Sequence, residues 1–251
     1  NNSSKRRSEY LRKFEALGIH NIQMNEVIPS TYAVAQYLKQ QQQQQQQSDQ
    51  QQQKVFVIGS TGLQEEIQAA GFLTISVNNN ANVVKMIETQ ADFSSLTVDP
   101  SIGAVVVGHD FSFTYSKMAY ACLCLEKNPN CSFIVTSRDS FDQLSDRKLP
   151  GMTAAVAGIE ACTGRIATVV GKPSQWLAHH IMDTYSLKSS ETCMIGDRLD
   201  SDMMFGHNGN MSNLLVLTGC TTRASLEQQF VDNTTLNGRN GDDDAILPHY
   251  V

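Results

Sequence analysis

Three carboxylates, Asp197, Asp200 and Asp202, fall within six residues, directly after the apolar run Met194-Ile195 and Gly196. Carboxylates held that close repel one another unless a cation sits among them. A hard divalent cation suits such a cluster, because Mg²⁺ takes oxygen ligands, keeps several waters and needs only one or two protein carboxylates. The competing reading is an acidic turn in which Asp200 or Asp202 caps a helix. A strand-end position adds to the crowding and favours the metal, with Asp200 left over as a cap or surface group. A second candidate is Val169-Val170-Gly171-Lys172-Pro173. Lys172 follows a short apolar strand and presents a cation suited to phosphate, and Pro173 suits the first turn of the next helix. Spacing alone leaves a solvated surface lysine equally open. The third candidate is Asn1-Asn2-Ser3-Ser4, which opens a helix. Free N–H groups and the positive dipole end there favour an anion, and plain N-capping explains the same residues as well. An anion-binding helix mouth, a strand-end lysine and an acidic metal site are together the parts of a phosphoryl-transfer centre.

Such parts must be positioned by strand ends, and the rest of the chain supplies strands. Apolar runs at 54–58, 72–77, 102–107, 132–135, 168–170, 192–195 and 214–217 read as strands, and most end in Gly plus a polar residue. Between them, apolar spacing of three and four predicts helices over 63–70, 117–125, 153–162 and 175–185. Two more helices are expected ahead of the first strand, at 3–17 and 30–39. Strands alternating with helices imply a doubly wound, mostly parallel sheet. Residues 40–53 hold 12 Gln in 14 positions and have no apolar face. They read as an inserted, disordered surface loop, with self-association as the alternative.

Composition excludes several classes. The 251 residues carry 19 Lys+Arg against 25 Asp+Glu, a formal charge of −6 and a pI near 5.5. A basic excess for nucleic acid or an anionic membrane surface is lacking. No apolar run reaches the roughly 18 residues of a membrane span, and the opening NNSSKRRSEY carries no export signal. The six cysteines form no CxxC pair. They read as free thiols behaving as small core hydrophobes in a reducing, cytoplasmic compartment. His179 and His180 diverge on one helix and make poor joint ligands, and His109 reads as a surface group.

Taken in order, NNSSK at 1–5, FVIGSTGLQEEIQAAGF at 56–72, VVVGHDFSFTYSKM at 105–118, VVGKPS at 169–174, GDRLDSDM at 196–203 and LLVLTGCTT at 214–222 form a set. The set resembles the haloacid-dehalogenase superfamily, in particular its phosphoglycolate, 4-nitrophenyl phosphate and pyridoxal-phosphate phosphatases. The resemblance implies an α/β fold: a three-layer Rossmann-like core with a mostly parallel sheet, interrupted by an inserted α/β cap. The core is expected over 1–70 and 167–251, and the cap over 71–166. It also implies Mg²⁺ as cofactor, a small phosphorylated metabolite as substrate, and a homodimer through the cap. By position, Lys172 would stabilise nucleophile and phosphate, Asn1 and Asn2 would bind phosphate, Asp197 would bind Mg²⁺, and Asp202 would support the metal site. Asp139 and 150–158 fall in the matching cap region without assigned roles.

The sequence also departs from that pattern. The family's nucleophile lies in an early Asp-x-Asp-Gly after an apolar strand, and these 251 residues contain none. The Asp-x-Asp pairs present are Asp200-x-Asp202, inside the acidic motif, and Asp242-x-Asp244, in a polar Gly/Asn-rich stretch. The Ser/Thr expected before the Asn pair is missing too, and 246–251 resembles the lead-in to the family's last strand and helix. The expectation is a fragment of a longer phosphatase, inactive alone because the nucleophile is missing. The alternative is a catalytically dead protein that only binds phosphate ligands or partners.

Overall fold

The computed structural model describes residues 3–44, 53–76, 86–228 and 248–251. Its helices are α1 (Arg7–Ala16), α2 (Ser30–Gln44), α3 (Thr61–Ala69), α4 (Gln90–Ser94), α5 (Tyr115–Lys127), α6 (Thr153–Thr163), α7 (Gln175–Tyr185) and α8 (Met204–Asn208). Its strands are β1 (Lys54–Ile58), β2 (Leu73–Ile75), β3 (Ile102–Val107), β4 (Ser132–Val135), β5 (Phe141–Leu144), β6 (Arg147–Pro150), β7 (Thr168–Val169), β8 (Cys193–Gly196) and β9 (Ser212–Leu215). No described helix is long and apolar enough to cross a membrane. The chain divides into two compact units, Asn1–Phe141 with Pro150–Gly171, and Asp142–Leu149 with Lys172–Val251.

The first unit is built on one parallel sheet in the order β2-β1-β3-β4-β7. Its central strands are buried on both faces, which is why Val55–Ile58 and Ala104–Val107 are unbroken apolar runs. Parallel neighbours need crossovers, and crossovers are right-handed. α5 and α6 step the chain in one direction along the sheet and so share a face, whereas α3 steps back from β1 to β2 and lies on the other. On the α5/α6 face, Phe56, Val105, Val107, Phe133 and Val135 pack with Tyr120, Leu125, Val156 and Ile159. Phe56 meets Tyr120 edge-on with ring centroids 4.9 Å apart. Ser60 caps α3 by accepting from Leu63 N–H, and Gly71 ends the turn after it at φ +101°, a left-handed conformation that glycine adopts without strain.

Ligand crevices in such sheets form outside the carboxyl ends of the strands where connections reverse direction, here between β1 and β3. Ser3 fills that position. Ser60 Oγ donates to Ser3 O at 2.8 Å and His109 N–H donates to Ser3 Oγ at 2.8 Å. The following residues are tied down as well. Thr31 Oγ1 donates to Lys5 O at 3.1 Å, and Arg7 N–H donates to Glu66 Oε1 at 2.8 Å. The Arg7 guanidinium pairs with Glu66 and lies 3.8 Å from the centre of the Tyr32 ring. Gly62 is required beneath them, since a Cβ there would stand 2.7 Å from Ser4 O.

The second unit contains β8 and β9, paired in parallel with Cys193 opposite Ser212 and Gly196 opposite Leu215. Tyr250 forms an isolated parallel bridge to Leu214. A π-helical turn over Leu199–Met203 runs directly into α8. Met203, Leu215 and Leu226 form the apolar centre beneath it.

Each expected strand has a counterpart, with other bounds for β2 (Leu73–Ile75), β7 (Thr168–Val169), β8 (Cys193–Gly196) and β9 (Ser212–Leu215, against the expected 214–217); the helices differ mainly at their ends. α1 begins at Arg7, and its apolar residues are only half-buried, with Leu17 exposed after it. The glutamine tract is not loop throughout: Gln40–Gln44 continue α2, and Gln41 Oε1 accepts from Ser132 Oγ at 3.2 Å. Residues 45–52 lie outside the described residues. The expected boundary between 70 and 71 falls inside the β1–α3–β2 unit of one sheet. Of the cysteines, Cys122, Cys124 and Cys131 are buried, while Cys162 and Cys193 are exposed and Cys220 is half-buried. The hairpin β5–β6 and the short helix α4 were not foreseen.

Beyond β3, Lys117 Nζ and Asp110 Oδ2 stand 2.6 Å apart, both side chains at most 5% exposed. Removing one partner of such a pair strands a buried charge. Lys117→Met is expected to cost about 3–5 kcal/mol, read from urea unfolding of the reduced protein.

Candidate active site

β8 delivers the acidic motif. Its last residue is Gly196, and the backbone N–H groups of Asp197 and Arg198 donate to Asp202 Oδ2 at 3.0 and 3.1 Å. Lys172 Nζ donates to the other oxygen, Asp202 Oδ1, at 2.6 Å. The π-helical turn makes this possible: Asp202 N–H and Met203 N–H both reach Arg198 O at 3.1 Å, so Asp202 is turned back over the strand end. Gly196 is needed there because a Cβ would overlap the Asp202 carboxylate. Burial works to raise the Asp202 pKa, but Lys172 and the two backbone donors outweigh it and hold the carboxyl below its ordinary value.

Asp197 is placed by the segment after β9. Cys220 N–H donates to Asp197 Oδ2 at 2.7 Å, and Thr221 N–H donates to Asp197 O at 3.0 Å. Gly219 is the second required glycine, since a Cβ would overlap Asp197 Oδ2. Among the described residues no hydrogen bond reaches Asp197 Oδ1. Asp200 is a surface group, held by the forked Arg198 guanidinium at 3.0 and 2.7 Å. The Cys220 thiol is pushed up, first by burial and then by the Asp197 carboxylate beside it, with Arg198 opposing.

Lys172 is brought to Asp202 by the loop before α7. Asn208 Nδ2, at the end of α8, donates to Pro173 O at 2.7 Å and ties this loop down. Pro173 itself stands before Ser174, the N-cap of α7, and not inside the first turn. Lys172 is therefore no free surface lysine; it belongs to the same cluster as Asp202 and Asp197. Asn1 and Asn2 lie outside the described residues, as do Asp242–Asp244. Asp139 contributes its backbone carbonyl, which accepts from Thr153 Oγ1 at 2.9 Å.

The arrangement separates two carboxylate roles. Asp202 has both oxygens engaged and acts as the anchor that orients Lys172 and the Asp197 backbone. Asp197 keeps one oxygen open, which fits a hard cation bound by one carboxylate and waters. Three metal-ligating side chains do not converge anywhere among the described residues. The motifs LLVLTGCTT and GDRLDSDM contain Gly219, Cys220 and Arg198 but do not disclose their individual roles, which depend on the fold.

The HAD-hyrolase-like family matches residues 169–236, and the haloacid dehalogenase-like hydrolase family matches residues 1–73. Phosphoglycolate phosphatase 2 of Arabidopsis thaliana is 38% identical over 230 residues, covering 90% of this chain and 72% of that protein. The chloroplastic phosphoglycolate phosphatase 1A of the same plant is 39% identical over 228 residues, covering 90% of this chain and 60% of its own length. The crystal structure of a 4-nitrophenylphosphatase from Thermotoga maritima matches with a TM-score of 0.70 at 26% identity, over 91% of this chain and 75% of that one. A glycerol phosphate phosphatase from Mycobacterium tuberculosis, solved in complex with magnesium, shares the fold with a TM-score of 0.66 at 22% identity, over 88% of this chain and 57% of that one. The chain belongs to the haloacid dehalogenase-like hydrolases. These four proteins are phosphatases by name, and the chain spans only part of the length of each.

The anchor makes a pH-dependent prediction. A carboxyl held below its ordinary value stabilises the fold fully above roughly pH 4, and that contribution is lost as pH falls toward the folded value. Asp202→Asn is expected to cost about 2–3 kcal/mol at neutral pH. In urea unfolding followed from pH 7 to pH 3, the gap between wild type and variant should narrow only below about pH 4.

Proposed function

We propose that this chain carries the metal- and phosphate-handling half of a Mg²⁺-dependent phosphomonoester hydrolase, of the phosphoglycolate, 4-nitrophenyl phosphate or pyridoxal phosphate type. The observation that supports this best is the cluster at the end of β8: an open Asp197 oxygen beside the Lys172–Asp202 pair. Asp197 would hold Mg²⁺, which when bound supplies positive charge for phosphoryl oxygens. Lys172, fixed by Asp202, presents a second cation at the same strand end. Asn1 and Asn2 would add hydrogen bonds to the phosphate. Asp202 keeps the lysine and the Asp197 backbone in position without offering an oxygen of its own. A small phosphorylated metabolite as ligand, and a homodimer through the region matching the family's cap, belong to the same proposal.

The family's covalent route needs an aspartate nucleophile, and these 251 residues contain no Asp-x-Asp-Gly. The second reading, a chain that binds phosphate ligands without turning them over, rests on that fact. Both readings expect Mg²⁺ binding and, for this 251-residue chain alone, no turnover. Titration calorimetry of the wild-type chain should show Mg²⁺ binding that Asp197→Asn weakens at least tenfold. Incubation with 4-nitrophenyl phosphate and Mg²⁺ should release no 4-nitrophenol. Turnover that disappears in Asp197→Asn would overturn the expected inactivity, and equal Mg²⁺ binding in both proteins would overturn the metal assignment.

A further inference from the structure

Cys122 of α5 and Cys162 of α6 lie in the first unit, outside the cluster at β8. α5 and α6 link successive parallel strands in the same direction, so they run side by side and parallel on one face of the sheet. One close approach fixes their register: a Cβ on Gly158 of α6 would stand 2.9 Å from Met118 Sδ of α5. Four residues further along each helix come Cys162 and Cys122, on the same faces as Gly158 and Met118. The two thiols therefore repeat the Met118–Gly158 contact one turn on. Helix axes at roughly 8–10 Å, with Cα atoms about 2.3 Å from each axis, leave facing Cα atoms roughly 5 Å apart, inside the range a disulfide spans. Burial first, and then Cys162 beside it, push the Cys122 thiol up to about 12.

We propose that Cys122 and Cys162 form an intramolecular disulfide that fastens α5 to α6 when the chain meets a peroxide. Cys162 is exposed and Cys122 is buried, which sets the order of events. The Cys162 sulfur attacks one oxygen of hydrogen peroxide, the O–O bond breaks, and the displaced hydroxide leaves as water with the thiol proton. Cys162 is then a sulfenic acid. The Cys122 sulfur attacks that sulfur, the S–O bond breaks, and the departing hydroxide takes the Cys122 proton as a second water. Two thiols lose two electrons and two protons, and one peroxide becomes two waters. Cys124 cannot substitute, because two helical positions turn it roughly 200° away from Cys122.

The test uses the full chain, reduced, desalted, exposed to hydrogen peroxide, blocked with N-ethylmaleimide and digested with trypsin without reductant. The expected result is a joined pair of peptides, 118–127 with 149–165, that dithiothreitol separates. The pair should persist in Cys124→Ser and vanish in Cys162→Ser, an exposed position whose change leaves the core intact. Closing a loop of about 40 residues should also raise the unfolding temperature of oxidised wild type by several degrees, and Cys162→Ser should show no such rise. Exposed Cys193 reports whether oxidant reached the thiols. Oxidation at Cys193 while Cys122 and Cys162 both carry the blocking group would overturn the proposal. So would Cys162 passing to sulfinic acid beside a blocked Cys122.

Discussion

A carboxylate taken out of water must be given partners, and Asp202 has three. Desolvating such a group costs several kcal/mol unless its lone pairs are met. Lys172 meets one oxygen and the amides of Asp197 and Arg198 meet the other. Much else in the second unit follows from this requirement. The π-helical turn exists to swing Asp202 back over β8, and Gly196 is bare so that it can. The loop before α7 is drawn in with Lys172 and held by Asn208. Asp197 is then left with a fixed backbone and with Oδ1 outside the hydrogen bonds of the described residues: its neighbour has absorbed the structural work.

The first unit answers a different constraint. A parallel sheet buried on both faces needs helices on both, and right-handed crossovers decide which helix goes where. The reversal between β1 and β3 leaves a crevice at their carboxyl ends. Ser3 enters it, and Thr31, Glu66 and Gly62 hold the next residues in place. The N-terminal segment is thus part of the architecture of this sheet and not an appendage to it.

Much of this was legible in the residues. Apolar runs beside glycine mark the central strands β1 and β3, because parallel strands buried on both faces favour unbroken apolar residues. The acidic motif announced a charged strand end. It did not announce which aspartate would be anchor and which would stay open, because that depends on a π-helical turn whose signature is geometric. The fate of Lys172 depended on its partner 30 residues away, which spacing does not reveal. Gln40–Gln44 depart from the expected loop because glutamine is a good helix former and needs only a preceding helix to extend. Residues 70 and 71 lie between α3 and β2, and the pairing of β1 with β2 across them is a contact that a linear reading of motifs cannot weigh. The hairpin β5–β6 is exposed, so its residues carry no burial pattern to recognise.

The placement of Ser3 has a thermodynamic side. A crevice of this kind ordinarily waits for a free molecule, but here its occupant is covalently attached. An attached group acts at an effective concentration of order millimolar. Any free solute entering between Ser60 and His109 would have to outcompete the chain itself, and would do so only by peeling back the contacts that Lys5 and Arg7 make alongside. A free solute bidding for the same donors therefore faces a tethered competitor.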